Sequence, residues 1–123
     1  MTIAQRASQI WPALALAAKN RQILTYDILA KSIGVLPRGL GKMLEPIQSY
    51  CLIKKLPPLT ILVVQKETGL PGPGFSAVSK DIPKHQIKVF EYDWLKHGCP
   101  SLEEFEKAVK DLPSNIAKFR SDR

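Results

Sequence analysis

Seven side chains between positions 25 and 66 carry groups that bind phosphate oxygens. They are two hydroxyl residues and five cations, namely Thr25, Tyr26, Arg38, Lys42, Lys54, Lys55 and Lys66. Arginine and lysine donate hydrogen bonds to phosphates, and a hydroxyl beside the free amides of a helix start does the same. The set predicts a nucleic-acid interface in which Arg38 and Lys42 enter or border a groove and the other five residues contact phosphates.

The 123-residue chain has a net charge of +7, and most of the excess lies in its first half. Residues 1–57 contain eight basic and two acidic residues, whereas residues 58–123 contain ten and nine. A localised positive region attracts polyanions through electrostatic steering and the release of counterions. Charge alone also fits a solvated basic surface, so the order of the elements that carry the cations matters more.

The sequence offers no catalytic arrangement and no cofactor site. His85 and His97 are isolated from any serine or cysteine nucleophile motif, and Cys51 and Cys99 lack metal-ligand spacing. The glycine-rich stretch 69–74 lacks the Gly-Lys-Ser/Thr end of a phosphate-binding loop. We therefore expect reduced structural cysteines, no catalytic residues, no metal and no cofactor.

Helix signals surround the first predicted phosphate contacts. Residues 2–19 repeat apolar side chains at helical spacing, and Pro12 predicts a kink there or a restart capped by Ser8. Thr25 is a favourable N-cap for a helix over Tyr26–Ile33, and Gly34 is a favourable end.

The next segments predict a second helix and a wing. Pro37 starts a helix that runs to about Leu52, with a bend or break after Leu44 because Pro46 follows. The apolar run Leu59–Gln65 predicts a strand. A tight turn over residues 66–69, a stiff Gly/Pro loop and a returning strand over 75–78 would complete the wing.

The remaining chain predicts two more helices. One covers Pro83–Lys96, and the other begins at Ser101, with acidic residues in its first turn. Phe90, Trp94 and Phe105 could form an exposed apolar patch for a protein partner. We favour the alternative that they pack on the rest of the domain, because a small domain needs large side chains in its core.

Together these signals predict a mainly helical α+β protein, built as a winged helix-turn-helix with a helical C-terminal extension. We expect a single domain over residues 1–123. Its winged-helix core would cover about 1–78, the extension about 79–112, and a basic tail 113–123. The apolar runs are too short to cross a membrane, and no leader peptide is evident, so a cytoplasmic protein without a membrane partner is expected. Double-stranded DNA is the expected partner, and a protein partner or a homodimer remains open.

Several short motifs resemble a known family. They are Thr25-Tyr26, Leu29-Ala30, Ile33-Gly34, the run Arg38-Gly39-Leu40-Gly41-Lys42-Met43-Leu44, Val63-Val64 and Gly69. Over roughly residues 10–78 they look like the winged-helix DNA-binding domain of O6-alkylguanine-DNA alkyltransferases and alkyltransferase-like proteins. The resemblance implies that Tyr26 contacts the phosphate of a flipped nucleotide and that Arg38 enters the duplex as a finger.

The chain departs from this family at the reactive motif. Where the family has Pro-Cys-His-Arg, this sequence has Leu59, Thr60, Ile61 and Leu62. A threonine hydroxyl without an adjacent base cannot replace a thiolate nucleophile, so alkyl transfer is not expected. The resemblance leaves Tyr26, Arg38 and Thr60 as a candidate base pocket. We expect non-enzymatic DNA binding, with an alkyltransferase-like sensor of modified or flipped bases and a winged-helix protein-interaction module as the alternatives.

Overall fold

Helices dominate the computed structural model of the protein, which describes residues 1–72 and 81–112. The described α-helices are α1 (Ile3–Lys19), α2 (Tyr26–Ile33), α3 (Leu40–Ile53), α4 (Ile82–Glu91), α5 (Trp94–His97) and α6 (Leu102–Asp111). Two 3₁₀ turns cover Pro37–Gly39 and Leu59–Leu62, and two short strands are β1 (Leu24–Thr25) and β2 (Val63–Val64). The mainly helical α+β class predicted from the sequence is confirmed.

Helix α1 is continuous through Pro12, so the predicted restart at Ser8 is wrong. Thr2 caps the helix, and its hydroxyl accepts a hydrogen bond from the Gln5 amide at 3.1 Å. Pro12 is exposed, and the Ser8 carbonyl that it cannot bond lies one turn earlier on the same half-exposed face. The helix therefore loses one hydrogen bond where solvent can compensate for it.

Helix α2 begins and ends where the sequence predicts. The Thr25 side chain accepts a hydrogen bond from the Ile28 amide at 3.1 Å. Gly34 ends the helix in the left-handed conformation with φ of 73°, which costs glycine little because it has no Cβ. Arg6 of α1 donates to the Ile33 carbonyl at 2.8 Å and satisfies one of the carbonyls left free at this helix end.

Helix α3 differs from its prediction at both proline positions. Pro37 starts a 3₁₀ turn rather than the α-helix itself, and α3 begins at Leu40. Pro46 lies inside an uninterrupted helix, so the predicted break after Leu44 is wrong. Pro46 is buried, and the residues that follow it up to Cys51 are buried as well. Packing on several sides therefore holds the helix together despite the hydrogen bond that proline cannot donate.

The predicted strand Leu59–Gln65 is mostly a 3₁₀ turn. Its first four residues are all buried and form the turn, and only Val63–Val64 pair as a strand. A continuous apolar run does not distinguish a buried strand from a buried helical turn, and here side chains on every side of the turn are needed in the core.

Strand β2 runs parallel to β1 and continues into a hairpin. Leu24 pairs with Val63 and Thr25 with Val64. Beyond β2, the Gln65 amide donates to the Leu70 carbonyl and the Gly69 amide to the Gln65 carbonyl, both at 2.8 Å. Val64 also forms an antiparallel bridge with Pro71. The predicted return strand at 75–78 lies outside the described residues.

The predicted helix Pro83–Lys96 is divided into α4 and α5. Tyr92 leaves the helical conformation, and Asp93 caps α5 by accepting a hydrogen bond from the Lys96 amide at 3.1 Å. Helix α6 starts at the predicted place, with a capping box between Ser101 and Glu104. The basic tail 113–123 lies outside the described residues.

One hydrophobic core joins the helices before and after the gap in the described chain. Trp11 of α1 lies edge-on to Trp94, with ring centroids 5.6 Å apart, and its ring also contacts Phe105 and Tyr50. Trp94 and Phe105 are buried, and Phe90 is half-buried against the core. These aromatics therefore pack inside the protein, as we favoured, and the residues predicted as a C-terminal extension contribute to the same core.

Candidate functional site

A cavity of about 410 Å³ lies between the start of α2, the start of α3 and the hairpin. We call it the groove. Its described lining is Tyr26, Asp27, Pro37, Arg38, Gly41, Gln65, Lys66 and Glu67. Three predicted site residues, Tyr26, Arg38 and Lys66, thus meet in one place although they come from three separate segments.

The pairing of β1 with β2 creates this meeting. Thr25 is both the last residue of β1 and the cap of α2, and it pairs with Val64. The hairpin that follows Val64 is therefore held beside the first turn of α2. The 3₁₀ turn at Pro37–Gly39 places Arg38 on the third side of the groove.

Tyr26 is fixed between α2 and the hairpin. Its ring is half-buried, and its phenol oxygen lies beside the Gly72 backbone. Burial raises the pKa of Tyr26 above its ordinary value, and the Gly72 amide offsets part of that rise. The phenol is therefore neutral near pH 7, and its hydroxyl proton can be donated to a phosphate or a base.

Thr25 uses its hydroxyl oxygen as a helix cap. That oxygen accepts from the Ile28 amide, while the amides of Tyr26 and Asp27 in the same turn have no partner within the helix. A threonine hydroxyl has one proton to donate besides the lone pairs it accepts with. The predicted phosphate contact of Thr25 is compatible with its capping role.

Two carboxylates line the groove beside the two cations. Asp27 lies in the first turn of α2 and Glu67 lies next to Lys66 at the hairpin tip. Both are exposed, and in the described part of the chain neither forms an ion pair with Arg38 or Lys66. The site predicted from the sequence contains hydroxyl and basic residues and does not include these two acids. Their adjacency to Tyr26 and Lys66 was the available signal.

Lys42 points away from this arrangement. It is exposed and lines a second cavity of about 400 Å³, formed by the start of α1, α3 and α6, together with Glu45 and Glu106. The sequence placed Arg38 and Lys42 one α-helical turn apart. Arg38 lies in a 3₁₀ turn, which is wound more tightly than an α-helix. The side chains of Arg38 and Lys42 therefore do not lie on one helix face.

Lys54 and Lys55 lie at the far end of α3. The helix has 14 residues and is about 20 Å long, and the groove is at its other end. The Lys54 ammonium lies 6.0 Å from the centroid of the Tyr50 ring, and Lys55 adopts a positive φ of 57° in the following turn. The structure does not bring this pair into the groove.

The structure places Thr60 apart from Tyr26 and Arg38, the other two residues of the predicted base pocket. The residue is 3% exposed, in the 3₁₀ turn that packs into the core, and it is not among the described residues that line the groove. Its hydroxyl has no hydrogen-bond partner among the described residues. The replacement of the predicted strand by a turn explains why this side chain faces inward.

Two of the basic residues in the first half have structural contacts. Arg6 caps the end of α2, and the Arg21 guanidinium lies 5.9 Å from the centroid of the Phe90 ring. Such a cation over an aromatic ring contributes roughly 0.5–1 kcal/mol at an exposed site. Arg38 and Asp27 are the charged residues of 1–57 that line the groove, so the excess charge of this half is not concentrated there.

The two thiols and the nearby histidine have no nucleophilic arrangement. Burial raises the pKa of the Cys51 thiol to about 12, and burial also raises that of the exposed Cys99. A raised pKa disfavours the reactive thiolate.

His97 has its ring nitrogens 3.0 Å from the Tyr50 hydroxyl and 3.1 Å from the Tyr92 hydroxyl. Among residues 1–72 and 81–112, no group of three or more His, Cys, Asp or Glu side chains could hold a metal ion.

Comparison of the chain with protein-family models, with curated proteins and with solved structures finds no match. The resemblance to alkyltransferases and alkyltransferase-like proteins therefore remains a prediction from short motifs. Among the described helices, none combines the length and apolar character that crossing a bilayer requires.

Proposed function

We propose that this protein is a non-enzymatic binder of double-stranded DNA that uses a winged helix-turn-helix. The observation that carries the proposal is the convergence of Tyr26, Arg38 and Lys66 on one groove. These residues supply a hydroxyl, a guanidinium and an ammonium, which are the groups that most often contact phosphates and base edges.

The order of elements supports a winged helix. Helices α2 and α3 follow one another through a short turn, and the hairpin after β2 lies beside the start of α2. In this interpretation, α3 and the 3₁₀ turn before it form the recognition element, and the hairpin is the wing. Lys66 would then contact a phosphate next to the one reached from the start of α2.

A titration of a plain duplex at several salt concentrations tests this function. We expect Arg38→Ala and Lys66→Ala each to weaken binding and to reduce the slope of log K against log salt by about 0.9 for each phosphate that the variant no longer neutralises. Lys110→Ala is the matched control, because this lysine is exposed on α6 away from the groove. Unchanged duplex affinity in both groove variants would contradict the proposal.

Recognition of a modified or flipped base is the second candidate. It is favoured by the presence of Tyr26 and Arg38 in the same cavity, since the resemblance assigns them to a flipped nucleotide. The same titration with a duplex containing O6-methylguanine tests it. Tighter binding than to the plain duplex supports a sensor, and equal affinity removes this candidate.

A further inference from the structure

The described lining of the groove carries no net formal charge, although the chain as a whole is basic. Arg38 and Lys66 contribute two positive charges, and Asp27 and Glu67 contribute two negative ones. The carboxylates are exposed, and within the described residues they form no ion pairs with these cations. Any ligand that enters the groove meets them directly.

A carboxylate acts in opposite ways on the two parts of a nucleotide. It repels a phosphate, and Asp27 does so at the start of α2, where free amides would otherwise attract one. It accepts a hydrogen bond from the amino group of a base, as Asp and Glu do from cytosine N4. Specific binders commonly include such a repulsive element against the wrong ligand.

We propose that Asp27 and Glu67 are selectivity residues that weaken the binding of phosphates in the groove and favour a nucleobase carrying an amino group. The inference rests on the proposed DNA binding and assigns the ligand of the same site. Arg38 and Lys66 hold the backbone or acceptor atoms, and the carboxylates select the base.

The test uses the full chain with Asp27→Asn, Glu67→Gln and the double variant. These changes remove charge with little change in shape. Glu103→Gln is the control, because Glu103 is an exposed acid on α6. The probes are a plain duplex, the same duplex with one unpaired cytosine, and the same duplex with one unpaired thymine, which lacks an amino group. An unpaired base is the easiest to extrude.

We expect wild-type protein to prefer the unpaired cytosine over the unpaired thymine. The double variant should bind plain duplex about three- to tenfold more tightly at low salt, since unit charges about 7 Å apart in water change affinity about threefold each. It should also lose the preference for cytosine. The gain on plain duplex should vanish near 1 M salt, where the screening length is about 3 Å.

Two results would overturn the inference while leaving DNA binding in place. One is a double variant that binds plain duplex no more tightly than Glu103→Gln does. The other is a cytosine preference that is absent in the wild type or unchanged in the variant. Failure of the wild-type protein to bind any of the three duplexes would overturn the inference together with the proposed function.

Discussion

The backbone of Gly72 lies against the phenol ring of Tyr26, so closely that a Cβ at Gly72 would overlap the phenol oxygen and the ring carbon that bears it. The contact joins the return of the hairpin to the first turn of α2. It therefore holds the Tyr26 ring, which lines the groove, against the hairpin.

Replacing Gly72 by alanine should destabilise the protein and move the Tyr26 ring. Overpacking of this kind costs about 1–3 kcal/mol, measured as a loss in the free energy of unfolding by urea denaturation. Combining Gly72→Ala with Tyr26→Ala should cost less than the sum of the two single changes, because the overlap disappears.

Gly41→Ala is the control: its added Cβ meets nothing within 4 Å in α3, so it should raise stability by up to about 1 kcal/mol. If the losses in the free energy of unfolding caused by Gly72→Ala and Tyr26→Ala simply add, atoms other than the Tyr26 ring move to relieve the overlap.

Removing both lysines at the end of α3 should affect duplex binding less than removing one arginine at its start. Lys54 and Lys55 lie beyond the far end of α3, which is about 20 Å long, whereas Arg38 lines the groove. We expect the double change Lys54→Ala and Lys55→Ala to alter the dissociation constant less than Arg38→Ala at the same salt concentration. A larger effect of the double change would move the interface to the other end of α3.

Thr60→Val should stabilise the protein and leave duplex affinity unchanged. The buried hydroxyl has no partner among the described residues, and an unsatisfied buried polar group costs about 1–3 kcal/mol. Valine keeps the branched shape, so a rise of about 1 kcal/mol in the free energy of unfolding is expected. Thr60→Ser keeps the hydroxyl and removes a buried methyl group, so it should destabilise the protein instead. Weaker duplex binding by the valine variant would place Thr60 at the interface after all.

Stability should fall above pH 9 because of Cys51. Burial raises the pKa of this thiol from 9.0 to about 12, so between these values the unfolded chain has released a proton that the folded chain retains. The contribution of the Cys51 thiol to the free energy of unfolding is fully present below pH 9. It declines by about 1.4 kcal/mol per pH unit up to about pH 12. Urea titrations at successive pH values measure the decline.

The interval from pH 9 to 10 reports mainly on the two thiols, because Tyr26 and Tyr50, whose pKa values are also raised by burial, start from the higher ordinary value of 10.0. Cys51→Ala should be less stable at neutral pH and should lose most of this slope. Cys99→Ala should retain more of the slope than Cys51→Ala does, since burial also raises the pKa of Cys99 but Cys99 is exposed whereas Cys51 is buried. Equal slopes in the two variants would contradict burial as the cause.

Local signals predicted the ends of helices well. Thr25 and Gly34 bound α2, and Ser101 with Glu104 caps α6, because capping depends on residues only a few positions apart. The division at Asp93 carries the same kind of signal, an acidic N-cap, and it was missed because the apolar repeat on both sides suggested one helix.

The composition of the groove could not be predicted in the same way. Tyr26 and Lys66 are forty positions apart in sequence, and they meet only because β1 pairs with β2 in one register. That register also brings in Glu67. Whether the side chain of a cation such as Lys42 reaches the groove depends on whether the turn that contains Arg38 is wound as a 3₁₀ helix or as an α-helix. The pattern of residue types does not distinguish these two windings.

The pairing of residues 24–25 with 63–64 leads us to expect an order in the steps of folding. Helices α2 and α3 can start from contacts within each helix, but the groove needs a loop of nearly forty residues to close first. We therefore expect a synthetic fragment that contains only α2 and α3 to gain helix without gaining the binding surface. A ligand that requires the groove would bind only the folded chain, and saturating amounts of it would raise the free energy of unfolding.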